Sequence, residues 1–206
     1  MSHGVVPEGA ARATRGGLAP IARALVGIGV SANAVTVAGL VLTVAGSWLL
    51  ASGQPFAALV VLLIGTLGDT LDGAVARASG GGTKAGEVLD STLDRVSDAA
   101  LASAPLVLGA RQGDPVLFAG ALVLLVGSFL VPYIRAKAEI LDLSASVGLA
   151  PREARIAIYL IGVAAWALSG SEGSFAVAVL ITALLAAITS VQRLIHVMSA
   201  LNERGS

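Results

Sequence analysis

Four aspartates stand on a fixed spacing in the middle of this 206-residue chain: Asp69 and Asp72 in the run Asp69-Thr70-Leu71-Asp72-Gly73-Ala74-Val75-Ala76-Arg77, then Asp90 and Asp94 after Gly86. The surrounding sequence is largely apolar, and a carboxylate is costly to bury in a membrane or a core, so four placed together imply bound cations and a task. Asp69 and Asp72 are three apart and Asp90 and Asp94 four apart, so each pair shares a helix face. The short connection between the pairs lets two antiparallel helices direct all four carboxylates into one gap. Hard divalent cations, Mg²⁺ or Mn²⁺, relieve the mutual repulsion with oxygen ligands. Two such ions a few Å apart suit phosphoryl transfer, where charge develops on the attacking and leaving oxygens. Gly73 and Gly86 leave room for a nucleotide or diphosphate against the backbone. Arg77, one turn beyond Gly73, offers planar donors to a phosphate.

The elements that must position these residues are written in the composition. The chain is 56% hydrophobic and only 13% charged, against roughly 25% charged in an ordinary soluble domain. The expected fold class is an all-α integral membrane protein. Six apolar segments, 33–51, 55–77, 86–110, 115–138, 153–169 and 174–195, each lie near the ~20 residues that cross a bilayer as a helix, predicting six transmembrane helices. From Pro20 to Ile28 the apolar residues Ile21, Ala24, Leu25 and Ile28 fall at helical spacing with Arg23 on another face, which predicts an interfacial amphipathic N-terminal helix. One domain is expected over 1–206: a cytoplasmic or interfacial segment at 1–30, a six-helix core at 31–200 and a short tail at 201–206. Arg12, Arg15 and Arg23 interrupt the first thirty residues, so no cleaved leader is expected. The absence of cysteine excludes disulfides, thiolate metal sites and cysteine nucleophiles, and a net charge of zero argues against nucleic-acid binding.

Orientation follows from the basic residues, which concentrate in cytoplasmic loops. With the N-terminus inside, Arg12, Arg15, Arg23, Arg77, Lys84, Arg135, Lys137, Arg152, Arg155, Arg193 and Arg204 fall on the cytoplasmic side and Arg111 outside. Both termini and the aspartates are therefore expected at the cytoplasmic face of the cell membrane.

The run from Asp69 to Asp94 resembles the signature of the CDP-alcohol phosphotransferases, membrane enzymes that move a phosphatidyl or similar group from a CDP-linked donor onto an alcohol and release CMP. Asp69, Asp72, Gly73, Ala76, Arg77, Gly86, Asp90 and Asp94 fill every fixed position of that pattern. The resemblance implies that Asp69, Asp72 and Asp90 are the main ligands of two Mg²⁺ or Mn²⁺ ions. It makes Asp94 the base that takes the proton of the acceptor hydroxyl, itself also touching a metal. It further implies that Asp69, Gly73, Arg77 and Gly86 face the CDP moiety, and that the protein is a homodimer.

A second basic group comes from three helix ends on the aspartates' side: Arg135, Lys137, Arg152, Arg155 and Arg193. Several fixed cations converging there bind a dianion strongly, which favours an acceptor that already carries a phosphate. Within the family the stretches 133–139, 152–155 and 191–193 resemble phosphatidylinositol phosphate synthases of actinobacteria, which join inositol 1-phosphate to CDP-diacylglycerol. In that pattern Lys stands at the place of Arg135 and Arg at that of Lys137, and Arg-Pro-Glu-Arg replaces Arg152-Glu153-Ala154-Arg155. Lys137, Arg155 and Arg193 are the leading phosphate ligands, with Arg135 and Arg152 beside them. Phosphatidylglycerophosphate synthase, whose acceptor is glycerol 3-phosphate, would use the same basic pocket, and a divalent-cation transporter would also collect intramembrane acids. Asp98 is expected to pair within its helix with Arg95. His3 and His196 are isolated, and Gly39, Gly46, Gly120 and Gly127 are expected to let helices approach.

Overall fold

A computed structural model describes residues 8–205, with side chains described for 18–204. The expected roles of His3, Arg12 and Arg15 lie outside the described side chains. Seven helices follow one another: α1 (Glu8–Gly27), α2 (Ala32–Ala51), α3 (Pro55–Ala78), α4 (Lys84–Gln112), α5 (Pro115–Ile140), α6 (Arg152–Ser169) and α7 (Glu172–Gly205). No strand occurs among the described residues.

Local chemistry sets the boundaries. Ser31 and Thr83 cap α2 and α4 by accepting from the Ala34 and Gly86 amides at 3.2 and 3.0 Å. Pro55 and Pro115 open α3 and α5, where a missing N–H costs nothing. The cap at Thr83 starts α4 two residues before the apolar run at 86.

Among the described residues four helices are long and apolar enough to cross a membrane: α2, α3, α5 and α7. The other two expected spans, α4 and α6, are present as helices but fall short of that composition. The first half of α4 carries Glu87, Asp90, Asp94, Arg95 and Asp98, and α6 begins with Arg152, Glu153 and Arg155. The side chains suited to chemistry thus dilute the apolar signal of the helices that hold them. Bulky apolar side chains elsewhere face outward, among them Val41, Ile64, Leu67, Ile161, Leu168 and Leu184. So large an outward apolar surface fits a multi-pass membrane protein.

Two expected segments gain structural detail. Within the expected tail at 201–206, residues 201–205 continue α7 to Gly205. Leu201 packs with Ile134 and Leu143 around Ala138, Ala145 and Val197, and Arg204 donates to the Leu141 and Asp142 carbonyls. The apolar residues of α1 divide between two surroundings. Leu18, Ala22, Leu25 and Val26 pack toward Leu71, Ala74 and Val75 of α3, whereas Ile21, Ala24 and Ile28 are exposed. From Leu18 on, α1 thus presents apolar side chains both to α3 and outward.

The main core runs from Leu50 of α2 and Ala58 and Leu62 of α3 through α4 and α5 to α6 and α7. Tyr159 and Trp166 of α6 meet Phe175 of α7, edge-on at 5.2 Å and stacked at 5.8 Å, and the Tyr159 hydroxyl donates to the Leu101 carbonyl of α4 at 2.7 Å. Small residues set the helix spacings, as expected. A Cβ on Gly120 or Gly127 would meet Leu180 or Ala186 of α7, and one on Gly46 would meet Leu62 of α3. The contact that bears on the site is Gly39, where an added Cβ would stand 3.3 Å from the Gly65 carbonyl oxygen and 3.5 Å from Asp69 Oδ1. Close approach of α2 to α3 here holds the start of α2 against the aspartates. Gly39→Val is expected to lower the melting temperature in detergent, by an overpacking cost of about 1–3 kcal/mol. An unchanged thermal transition would contradict this packing role.

Candidate active site

Two cavities flank the aspartates. The first, about 570 Å³, is walled by the starts of α2 and α4 and by the last turns of α3. Asp72, Gly73 and Ala76 face it from α3, Ser31, Asn33 and Thr36 from α2, and Thr83, Gly86 and Asp90 from α4. Two helix N-termini therefore border one space, and their free N–H groups and dipoles favour an anion there. The glycines are constrained by their neighbours. A Cβ on Gly86 would sit 3.2 Å from Thr83 Oγ1 and 3.3 Å from Asn33 Oδ1, and one on Gly73 would sit 3.4 Å from Arg77 Nη1. Asp72 is nearly buried; the Thr36 hydroxyl donates to its Oδ2 at 2.8 Å and the Gly73 amide to its Oδ1.

The second cavity, about 660 Å³, is lined by Asp94, Asp98, Arg135, Arg152, Arg155 and Arg193, among others. Backbone carbonyls hold two of these arginines. Arg155, 5% exposed, donates from Nη1 to the Ala150 carbonyl at 2.9 Å. Arg193 donates from Nε to Val147 and from Nη1 to Val131, each at 2.9 Å. Arg135 pairs with Glu139 at 2.8 Å. Lys137 is not among the lining residues; it is exposed, with Nζ 5.8 Å from the centre of the Tyr133 ring. Two residues along a helix are turned about 200° apart, so Arg135 and Lys137 cannot both face this cavity.

The expectation that all four carboxylates open on one gap is met only in part. Asp72 and Asp90 face the first cavity and Asp94 the second. Asp90 stands close enough to Asp69, Asp72 and Asp94 to repel each of them, so the four form one electrostatic cluster. Arg152 divides it. Its Nη1 lies 3.2 Å from Asp69 Oδ2 and 3.0 Å from Asp94 Oδ1, and its Nε lies 2.9 Å from Asp98 Oδ1. Arg152, expected to face a phosphate, is thus engaged by three carboxylates. Among the described residues no three acidic or imidazole side chains form a ready metal cage. The donor set still fits a hard divalent cation, because oxygens of Asp69 and Asp94 converge on one point, lying 3.2 and 3.0 Å from the same Arg152 nitrogen.

Several site residues are not legible in the sequence. Asn33 and Thr36 join the first cavity only because α2 starts beside α3. Asp98 belongs more to Arg152, at 2.9 Å, than to the expected Arg95, at 4.0 Å. Its place one turn after Asp94 was the signal available.

Known proteins resemble this chain over most of its length. The family model described as CDP-alcohol phosphatidyltransferase matches residues 29–192. Phosphatidylinositol phosphate synthase of Mycobacterium tuberculosis is 37% identical over 179 residues, covering 85% of this chain and 82% of the relative. A crystal structure of the M. tuberculosis synthase with CDP-DAG bound matches with a TM-score of 0.81 at 36% identity, over 87% of this chain and 92% of that one. A second, in complex with manganese and citrate, matches with the same TM-score and identity over 88% of each chain.

Proposed function

Because the chain belongs to the CDP-alcohol phosphatidyltransferase family, we propose that it transfers a phosphatidyl group from CDP-diacylglycerol to the hydroxyl of inositol 1-phosphate, forming phosphatidylinositol phosphate and CMP. The observation that carries this reading is the pair of cavities on the aspartate cluster, one bordered by two helix N-termini and one lined by five arginines. A nucleotide diphosphate suits the first and a phosphorylated acceptor the second.

Held by Asp69, Asp72, Asp90 and Asp94, two Mg²⁺ or Mn²⁺ ions would supply charge stabilisation at the diphosphate and the acceptor oxygen. The chain's own residues do the rest. Gly73 and Gly86 let the diphosphate approach the backbone, with Arg77 beside Gly73 and Asp69 facing the donor. Arg155 and Arg193, with Arg135 in place of Lys137, hold the acceptor phosphate so that its ring hydroxyl lies at Asp94. Asp94 accepts the hydroxyl proton, the oxygen bonds to the phosphatidyl phosphorus, and the bond from that phosphorus to the CMP oxygen breaks. Positioning of both partners on one cluster lowers the entropic barrier to this in-line displacement.

In this reading α2 to α7 are six transmembrane helices of one domain, with α1 at the interface. Both termini and the two cavities face the cytoplasm at the plasma membrane, and the protein is a homodimer. The concentration of basic residues at one end of the helices supports the orientation, and the outward Ile21, Ala24 and Ile28 support an interfacial α1.

Purified protein with CDP-diacylglycerol and Mg²⁺ is expected to release CMP with inositol 1-phosphate and not with glycerol 3-phosphate or free inositol, and to stop when the metal is chelated. Turnover with glycerol 3-phosphate alone would replace the acceptor and assign a phosphatidylglycerophosphate synthase.

A further inference from the structure

The place of Arg152 is at odds with a purely phosphate-binding role. Its guanidinium lies among acids, with Nη1 shared by Asp69 and Asp94 and Nε on Asp98. Asp98 is outside the aspartate signature, yet it is 7% exposed and holds the shortest of the three contacts. The planar fork of an arginine lets one edge bridge carboxylates while Nε keeps a separate partner.

We infer that Arg152 is a tethered placeholder cation: it competes with a divalent ion for Asp69 and Asp94 while hinged on Asp98, and is displaced from both carboxylates when the ion binds. The inference rests on the reading that these aspartates hold metal. Its physical basis is the cost of leaving carboxylates at close quarters and out of water without a counter-charge. A monocation held through hydrogen bonds offsets that cost, and a divalent ion with direct oxygen ligands outcompetes it. The Nε contact to Asp98 uses no oxygen of Asp69 or Asp94, so the hinge survives the exchange. Because Arg152 also borders the arginine-lined cavity, its released Nη groups turn toward the acceptor phosphate. That cavity then gains its full positive charge only with metal in place, which links the two binding events reciprocally. Asp98 is accordingly a positioning residue.

The test is Mn²⁺ titration of the purified full-length protein, without substrate, with free Mn²⁺ followed by electron paramagnetic resonance. Arg152→Gln is expected to bind Mn²⁺ about tenfold more tightly than the unaltered protein, to melt at a lower temperature in metal-free buffer, and to gain more stability from added Mn²⁺. A residue that merely supported the fold would weaken metal binding when removed, so unchanged or weaker affinity overturns the inference. Should Arg152→Gln fail to fold, Arg152→Lys keeps a cation but cannot span Asp98 and the metal pair in one fork. Its Mn²⁺ affinity is expected to exceed that of the unaltered protein by a smaller factor, and equal or weaker affinity there is equally fatal. CMP release by the unaltered protein separates the two readings. Turnover without tighter metal binding in either variant removes only the placeholder, whereas an unaltered protein that binds no Mn²⁺ removes both.

Discussion

Asp94→Asn is expected to lower kcat for CMP release by about 10³-fold while leaving the KM for inositol 1-phosphate within a few-fold of the unaltered value. The substitution is nearly isosteric, so the helix and the cavity wall are kept. It removes the basic site and the negative charge that Arg152 Nη1 meets at 3.0 Å and Arg95 Nη2 at 3.5 Å. Loss of a positioned general base costs typically 10²–10⁴-fold, and a group that acts in the transition state depresses kcat and kcat/KM together. Steady-state CMP formation with each substrate varied in turn measures this directly. A raised KM with kcat intact would move Asp94 from proton acceptor to binding group. Mn²⁺ affinity of the same variant separates a base from a metal ligand, since only loss of a ligand weakens the metal.

Arg193→Ala is expected to raise the KM for inositol 1-phosphate by about 10- to 100-fold, the range spanned by loss of charge-assisted hydrogen bonds worth roughly 1.5–3 kcal/mol. The KM for CDP-diacylglycerol should stay unchanged, because Arg193 borders only the arginine-lined cavity of the two beside the aspartates. Its geometry makes Lys a poor substitute. Nε and Nη1 are committed to the Val147 and Val131 carbonyls, which leaves the rest of the guanidinium for the phosphate. A lysine ammonium cannot span both carbonyls in a fixed fork while reaching a third group. Arg193→Lys should therefore recover little of the lost affinity, and full recovery would mean that only the charge matters. Thermal melting of both variants checks that the α5 and α7 packing survives.

The helices and the aspartate cluster were legible for reasons of period and cost. Apolar runs near bilayer length predicted six of the seven helices, and carboxylates in apolar sequence cannot stand without a partner. What the sequence hid was pairing across long separations. Arg152 and Asp98 are 54 positions apart, and nothing local says that the start of α6 reaches the first half of α4. Arg135 and Lys137 were both readable as basic residues at a helix end, yet only the turn of α5 decides which of them faces the cavity. For α1 the spacing of Ile21, Ala24, Leu25 and Ile28 was correctly helical. The face that packs on α3 runs instead through Leu18, Ala22, Leu25 and Val26, because burial there is decided by α3 and not by α1 alone.

The anchoring of Arg155 and Arg193 on main-chain oxygens of Ala150, Val147 and Val131 bears on how this enzyme can drift or be redesigned. Every residue type carries a carbonyl, so exchanging the exposed side chain at 147 leaves its anchor in place, whereas buried Ala150 has room only for a small side chain. Gly148 is constrained too, with φ at +143° and the Thr189 methyl 2.5 Å from where its Cβ would be. Libraries aimed at a new acceptor would waste their diversity on the other positions of that loop. Substitutions at the arginines themselves, and insertions or deletions that shift the loop's path, are where a change of substrate can arise.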